Sequence, residues 1–145
     1  MTSEPTSSTA KRTGNMSDEE RSRHKALLCA KSAIDKKAEN LKVLDLSELS
    51  GFTDYFVICS GNSDRQVQAI SDSIEHTMKK EGGFELLSCE GHGEGRWVLM
   101  DFGDVIVHIF LDALREYYDL ENLWADAPSI KIPSEFYGPG ASRLN

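Results

Sequence analysis

Apolar positions change their period several times along this chain, and each change marks an element. Leu27, Ala30, Ile34 and Ala38 recur at helical spacing. Ahead of them Ser17-Asp18-Glu19-Glu20 has the form of a capping box, in which Ser17 caps the helix and Glu20 reaches back to the Ser17 amide. The spacing predicts a helix from about Asp18 to Glu39. Val43-Leu44-Asp45-Leu46 reads as a short strand, and Ser47 to Gly51 as a loop. Asp54-Tyr-Phe-Val-Ile-Cys-Ser60 is continuously apolar with aromatic and β-branched members, the pattern of a central strand covered on both faces. Gly61-Asn62 breaks it, and Ser63-Asp-Arg-Gln66 opens a second helix with another capping box. Val67, Ile70, Ile74 and Met78 form its apolar stripe. Lys79 and Lys80 suit the negative end of the helix, and Gly82 or Gly83 stops it. Phe84 to Leu87 predicts a strand, and Gly91 to Gly95 a flexible loop.

The run Trp97-Val-Leu-Met-Asp-Phe-Gly-Asp-Val-Ile-Val-His-Ile-Phe110 predicts a β-hairpin turning at Phe102-Gly103, with Asp101 and Asp104 on either side of the turn. Its body is apolar and its tip acidic, so it is expected both to build the sheet and to present a surface. Asp112 is placed to cap a last helix through Tyr118, and Leu120, Leu123 and Trp124 form a further amphipathic turn. The predicted order α-β-β-α-β-β-β-α describes an α/β (α+β) domain, a mixed sheet of about five strands with flanking helices. Residues 1–16 are Ser/Thr-rich and nearly free of apolar side chains, the composition of a disordered tail, and Met16 is a candidate start. Pro and Gly recur from Pro128 onward, so 128–145 is expected to be an irregular tail around a domain at 17–127.

The chain's 145 residues suffice for one domain with a real core. No apolar run approaches the roughly 20 residues of a membrane helix. The N-terminus has neither a secretory apolar region nor the Arg-rich, acid-poor character of a transit peptide, so a cytosolic location is expected. Net charge is −8, the wrong sign for a protein that binds nucleic-acid phosphates directly. Near nucleic acid, its direct contact should be a basic protein. Three cysteines, Cys29, Cys59 and Cys89, lack C-x-x-C spacing and are read as buried small hydrophobes.

Catalytic motifs are sparse. Asp101-Phe102-Gly103 matches a kinase tripeptide, but the chain has no Gly-rich phosphate loop and no His-Arg-Asp loop. Gly61-Asn62-Ser63 lies between a strand and a helix, a place where phosphate can meet free helix amides. A nucleotidyltransferase would also need two acids at i and i+2 on one strand face; Asp101 and Asp104 are three apart across a turn. Cys89-Glu-Gly-His92 has no matching second pair for zinc, and His108 reads as a hydrogen-bonded structural histidine. No cofactor or metal is therefore expected. Late in the chain, acids from Asp101 to Asp126 alternate with Trp97, Phe102, Tyr117, Tyr118 and Trp124. They are either a solvated face or a docking patch for a basic protein.

Phe52-Thr-Asp-Tyr-Phe-Val-Ile-Cys-Ser-Gly61, Ser63 with Arg65-Gln-Val67, the hairpin run and Arg115-Glu-Tyr-Tyr-Asp-Leu-Glu-Asn-Leu-Trp124 together resemble the ribosomal silencing factor (Iojap-like) family over about residues 20 to 127. The resemblance implies a nucleotidyltransferase-like fold without the catalytic acids. It implies a translational repressor, not an enzyme, that binds the large ribosomal subunit through ribosomal protein L-fourteen, blocks joining of the small subunit and lowers translation under nutrient limitation. It also implies a homodimer. Trp97 and Phe102 stand at the positions linked to the ribosomal contact; Asp101, Asp104, Tyr117 and Tyr118 are added as their neighbours. On this reading Trp97→Ala or Phe102→Glu should weaken binding and leave the fold largely intact. The alternative is a diverged nucleotidyltransferase-like enzyme or nucleotide-binding protein using Ser63 with Asp101 or Asp104.

Overall fold

A computed structural model describes residues 16–138. The tail expected over residues 1–16 therefore lies, apart from Met16, outside the described residues, as do residues 139–145. Helix α1, Asp18–Asp35, starts at the expected capping box, with both reciprocal bonds formed between Ser17 and Glu20. It stops four residues earlier than the periodicity suggests. Lys37 and Asn40 take positive φ values of 62° and 51°, which turns the chain out of the helix. The released carbonyls of Lys36 and Lys37 are met by the Gln66 side-chain amide at 3.2 and 3.1 Å.

Five strands form one mixed sheet in the order β1-β2-β5-β4-β3. They are β1, Glu39–Asp45; β2, Tyr55–Gly61; β3, Ser88–Glu90; β4, Trp97–Asp101; and β5, Val105–Leu111. Only β2 and β5 run parallel; the other neighbours are antiparallel. The expected β4–β5 hairpin is present, with Trp97 opposite Phe110 and Leu99 opposite His108. β1 begins before the predicted Val43, carried across a register irregularity between Glu39 and Lys42. The strand predicted at Phe84–Leu87 is displaced to Ser88–Glu90, because Phe84 turns inward while Leu87 is left exposed.

Helix α2, Asp64–Thr77, is capped by Ser63, whose hydroxyl accepts from the Gln66 amide. The second half of the predicted box is absent: Gln66 instead accepts from the Asn62 amide. A π-helical turn, Met78–Gly82, extends α2, and Gly83 ends it at φ 67°. Short helices α3, Asp112–Tyr118, and α4, Leu120–Leu123, complete the regular structure, with a 3-10 turn at Ser134–Tyr137. Asp112 is the first residue of α3 and does not cap it; Leu111 holds the cap position without a side-chain bond. Residues beyond Ala127 return along β1, with Asp45 N–H donating to Pro128 O and Ile130 N–H to Val43 O, both at 2.8 Å.

Strand residues alternate between two cores, as the pleat requires. Tyr55, Val57 and Cys59 of β2, Val105, Val107 and Ile109 of β5, and Val98 and Met100 of β4 face α1 and α2. Ala26, Cys29, Ala30 and Ala33 of α1 meet them, with Val67, Ile70, Ile74 and Met78 from α2 and its extension. Leu44, Phe56, Ile58 and Phe110 point to the opposite face, which α1 and α2 do not reach. Cys29 and Cys59 are fully buried as expected, and burial pushes the Cys59 thiol up to about 12. Cys89, on the outermost strand, is exposed, which corrects the expectation for that residue. No helix among the described residues is long and apolar enough to cross a membrane.

Candidate functional site

The face of the sheet away from α1 and α2 carries a connected row of aromatic rings. Centroids step from Phe52 to Trp124 (6.2 Å), Trp124 to Phe56 (5.8 Å), Phe56 to His108 (4.6 Å), His108 to Trp97 (6.0 Å), Trp97 to Tyr118 (4.7 Å) and Tyr118 to Tyr117 (5.1 Å). The middle of the row is set by strand register. Trp97 sits opposite Phe110 and stacks on it at 4.9 Å, and the residue across from Leu99, His108, stands diagonally beside it. The ends are loop and helix residues: Phe52 is 59% exposed, Tyr118 48% and Tyr117 78%. Trp97 and Trp124 are half-buried.

Two arrangements hold the row. Trp97 Nε1–H donates to His108 Nδ1 at 3.1 Å. The Arg115 guanidinium grips Glu121 through Nε and Nη2 at 3.1 and 2.9 Å and reaches Ser60 Oγ at 3.0 Å. Arg115 is itself buried, so this clamp fastens α3 and α4 to the end of β2 and sets Tyr118 against Trp97. The same guanidinium holds the Glu121 carboxyl below its ordinary range. Burial pushes His108 down to about 4, which keeps the ring neutral at pH 7.

The six residues expected at the site separate. Trp97, Tyr117 and Tyr118 are brought together on this face. Phe102 is not: it lies 3% exposed in the core shared with α1 and α2. Phe102→Glu is therefore a core substitution, which corrects the expectation that it would spare the fold. Asp104 also turns to the helix side, where Lys25 Nζ pairs with its Oδ1 and Ser22 Oγ donates to its Oδ2 at 2.5 Å. Burial raises the Asp104 carboxyl, but the bonds from Lys25 and Ser22 outweigh it and leave it below the usual range. Lys25 Nζ also donates to Phe102 O at 3.1 Å and lies 5.0 Å from the Phe84 ring. Asp101 shapes the turn, accepting from Gly103 N–H at 2.7 Å, and Gly103 supplies the φ of 94° that the turn needs.

The hairpin tip is thus a fastening between sheet and α1, and the exposed surface lies beside the hairpin's first strand. Asp101 and Asp104 engage different partners and do not converge. Among the described residues, no group of three or more His, Cys, Asp or Glu is placed to hold a metal. Phe52 was not singled out from the sequence as a surface residue, because its meeting with Trp124 joins distant parts of the chain. Asp112, Glu116 and Asp119 are exposed on α3 and at its end, the last two next in sequence to Tyr117 and Tyr118, and all three line a cavity with Asn40, Leu41 and Lys42 of β1. The face offers exposed aromatic area with acids on the adjoining helix, a combination suited to a basic protein surface.

A family model described as ribosomal silencing factor during starvation matches residues 19–142, reaching further toward the C-terminus than the sequence resemblance suggested. A ribosomal silencing factor of Bacillus subtilis is 48% identical over 101 residues, covering 70% of this chain and 85% of the relative. A more distant relative in Mus musculus, named mitochondrial assembly of ribosomal large subunit protein 1, is 33% identical over 91 residues, 61% of this chain and 40% of its own length. A crystal structure of a protein from Chromobacterium violaceum is similar with a TM-score of 0.68 at 35% identity, covering 88% of this chain and 98% of that one.

Proposed function

We propose a function from the premise that this chain belongs to the ribosomal silencing factor family. It silences ribosomes: it docks on the large subunit through ribosomal protein L-fourteen, blocks joining of the small subunit and so lowers translation when nutrients are limiting. The observation that carries this reading is the aromatic row, buried in its middle and exposed at Phe52, Tyr117 and Tyr118, on a sheet face that neither long helix covers, with exposed acids on the adjoining α3. Such a face suits a protein partner of opposite charge, with the acids speeding the encounter and the aromatics giving the contact. Net charge −8 would repel ribosomal RNA and favour a basic ribosomal protein. The large subunit appears in the name of the mouse relative, which supports the choice of subunit.

In this reading Trp97, Tyr117 and Tyr118 touch the partner, with Asp101 at the edge of the same face. Phe102 and Asp104 serve indirectly, by locking the hairpin turn onto α1. Steric occupation of the surface is the whole mechanism, so the protein acts as a regulator and needs no cofactor. A protein with this role acts in the cytosol, and in this reading it does so as a homodimer of the domain at 17–127.

Sucrose-gradient sedimentation tests this directly. The purified protein should travel with large subunits and lower the yield of joined ribosomes when small subunits are added. Trp97→Ala and Tyr118→Ala should remove most of both effects. Unchanged subunit joining at saturating protein would overturn the reading, and sedimentation equilibrium of the free protein would test the homodimer.

A further inference from the structure

On the open face, Phe56, Ile58 and Phe110 are apolar and buried, as a sheet core requires. His108 stands among them, 4% exposed, and its Nε2 has no hydrogen-bond partner. An indole N–H can only donate, so His108 Nδ1 must be the acceptor in its bond with Trp97, and the ring's one proton sits on Nε2. That N–H is buried without a partner, and the His108 ring packs on Phe56 with centroids 4.6 Å apart at 72°. A leaf of aliphatic or aromatic carbon would fill this place without leaving a polar group unmet. The histidine contributes one thing such a residue lacks: an acceptor aimed at Trp97.

Trp97 is held on every buried side. Phe110 stacks beneath it, Tyr118 leans on it at 4.7 Å, and His108 fixes its rotation through the indole nitrogen. We infer that His108 is a positioning residue, which by accepting the Trp97 indole proton sets the angle of the half-buried tryptophan before any partner arrives. The inference rests on the docking face proposed above and names the buried residue that prepares it. A pre-set anchor loses less side-chain freedom on binding than a mobile one. The neutral state that burial imposes on His108 keeps the acceptor available at physiological pH.

Two substitutions separate this role from simple filling. His108→Phe keeps the ring and removes the acceptor; His108→Asn keeps an acceptor near the Nδ1 position and loses volume. Positioning predicts that His108→Phe binds large subunits roughly two- to tenfold more weakly, the effect of freeing one side chain, while His108→Asn stays near wild type. Filling alone predicts the reverse order, and that result would overturn the inference. In a Trp97→Phe background, His108→Phe should cause no further loss of binding, because His108 acts only through the indole.

Hydrogen exchange of the Trp97 indole N–H, followed by NMR and assigned with Trp124→Phe, gives a readout free of ribosomes. Exchange should be slow in wild type and in His108→Asn, and fast in His108→Phe. If His108→Phe does not fold, the wild-type exchange rate decides: an indole proton exchanging like a free indole would sink the idea. If the wild-type protein fails to sediment with large subunits, the docking reading falls, and indole exchange still reports whether His108 holds Trp97.

Discussion

Along β5, Val105, Val107 and Ile109 point to α1 and α2, while Ile106, His108 and Phe110 point the other way. The first set is aliphatic, fully enclosed, and met by the regular stripes of two long helices. The second is mixed, with Ile106 aliphatic and His108 and Phe110 aromatic; it holds the face's buried histidine and is packed by Trp97, Leu120, Trp124 and Ala127. One face has a pattern that makes a fold. The other holds a buried histidine with an unpartnered ring nitrogen and rings exposed at its ends, which folding alone does not require. The difference locates where this chain is built for stability and where it is built to be met by something else.

The sharpest way to break the comparison is to put charge into the helix side. Phe102→Glu places a carboxylate in the core formed with α1, near Lys25, which Asp104 already holds. A buried charge without a dedicated partner costs several kcal/mol, enough to unfold a domain of ordinary stability. Circular dichroism should show loss of structure at 25 °C. A folded Phe102→Glu would mean that the tip opens easily and belongs to the exposed surface after all.

Paired substitutions test the two faces against each other. Ile74→Ala, at a fully buried position on α2, should lower stability by about 2–5 kcal/mol. The binding of the molecules that remain folded should be unchanged. Trp97→Ala should do the opposite, costing less stability because the side chain is only half-buried and abolishing most ribosome binding. Urea titrations and sedimentation on the same samples would check both. Equal stability losses would erase the proposed division of labour.

The sequence made one side of this division easy to read. The α2 stripe and the apolar run of β2 are local, periodic signals, and they fold as the periods say. The hairpin was legible for the same reason, with its glycine at the one position where the turn demands positive φ. Its tip was misread because side-chain direction at a turn depends on what lies against it. Asp104 is 79 residues from Lys25, and no local pattern announces that pairing. Phe84 and Leu87 look like strand residues, yet the Phe84 ring packs against Arg21, His24 and Lys25 of α1 and the strand starts only at Ser88. The aromatic row shows the same limit. Trp97, Tyr118 and Trp124 were visible as residues, but their order in space follows from the β4–β5 register and the Arg115 clamp.

A pH titration sharpens the contrast at intermediate scale. His108 is pushed down to about 4 by burial, whereas in the unfolded chain it titrates near about 6.5. As pH falls below that value the unfolded state takes up a proton first, so stability declines until the folded histidine also titrates. The contribution is complete above pH ~6.5 and is lost toward pH ~4, about 3 kcal/mol in all. Asp104 and Glu121, held below their ordinary ranges, add their own losses in still more acidic solution. Those losses are shared with His108→Phe, so the difference between the two proteins between pH 6.5 and 4 isolates the histidine. Parallel stability profiles would show that the open face carries no buried titrating group.

The smallest structural effect is expected at the outer end of the row. Tyr117 is 78% exposed and touches Tyr118 edge-on at 5.1 Å. Its side chain is already in water, so Tyr117→Ala should change stability by no more than about 0.5 kcal/mol. It remains beside the acids and in line with Trp97, where a partner that covers the row would desolvate it. A tyrosine buried at the centre of an interface costs about 1–2 kcal/mol or more when truncated, while one at a solvated rim costs little. The sedimentation loss for Tyr117→Ala, set against that for Tyr118→Ala, therefore marks where the docking surface ends. If Tyr117→Ala weakens binding as much as Tyr118→Ala does, the partner extends along α3 past Tyr118; if it changes nothing, the contact stops at Trp97 and Tyr118, and the acids of α3 serve only to steer the approach.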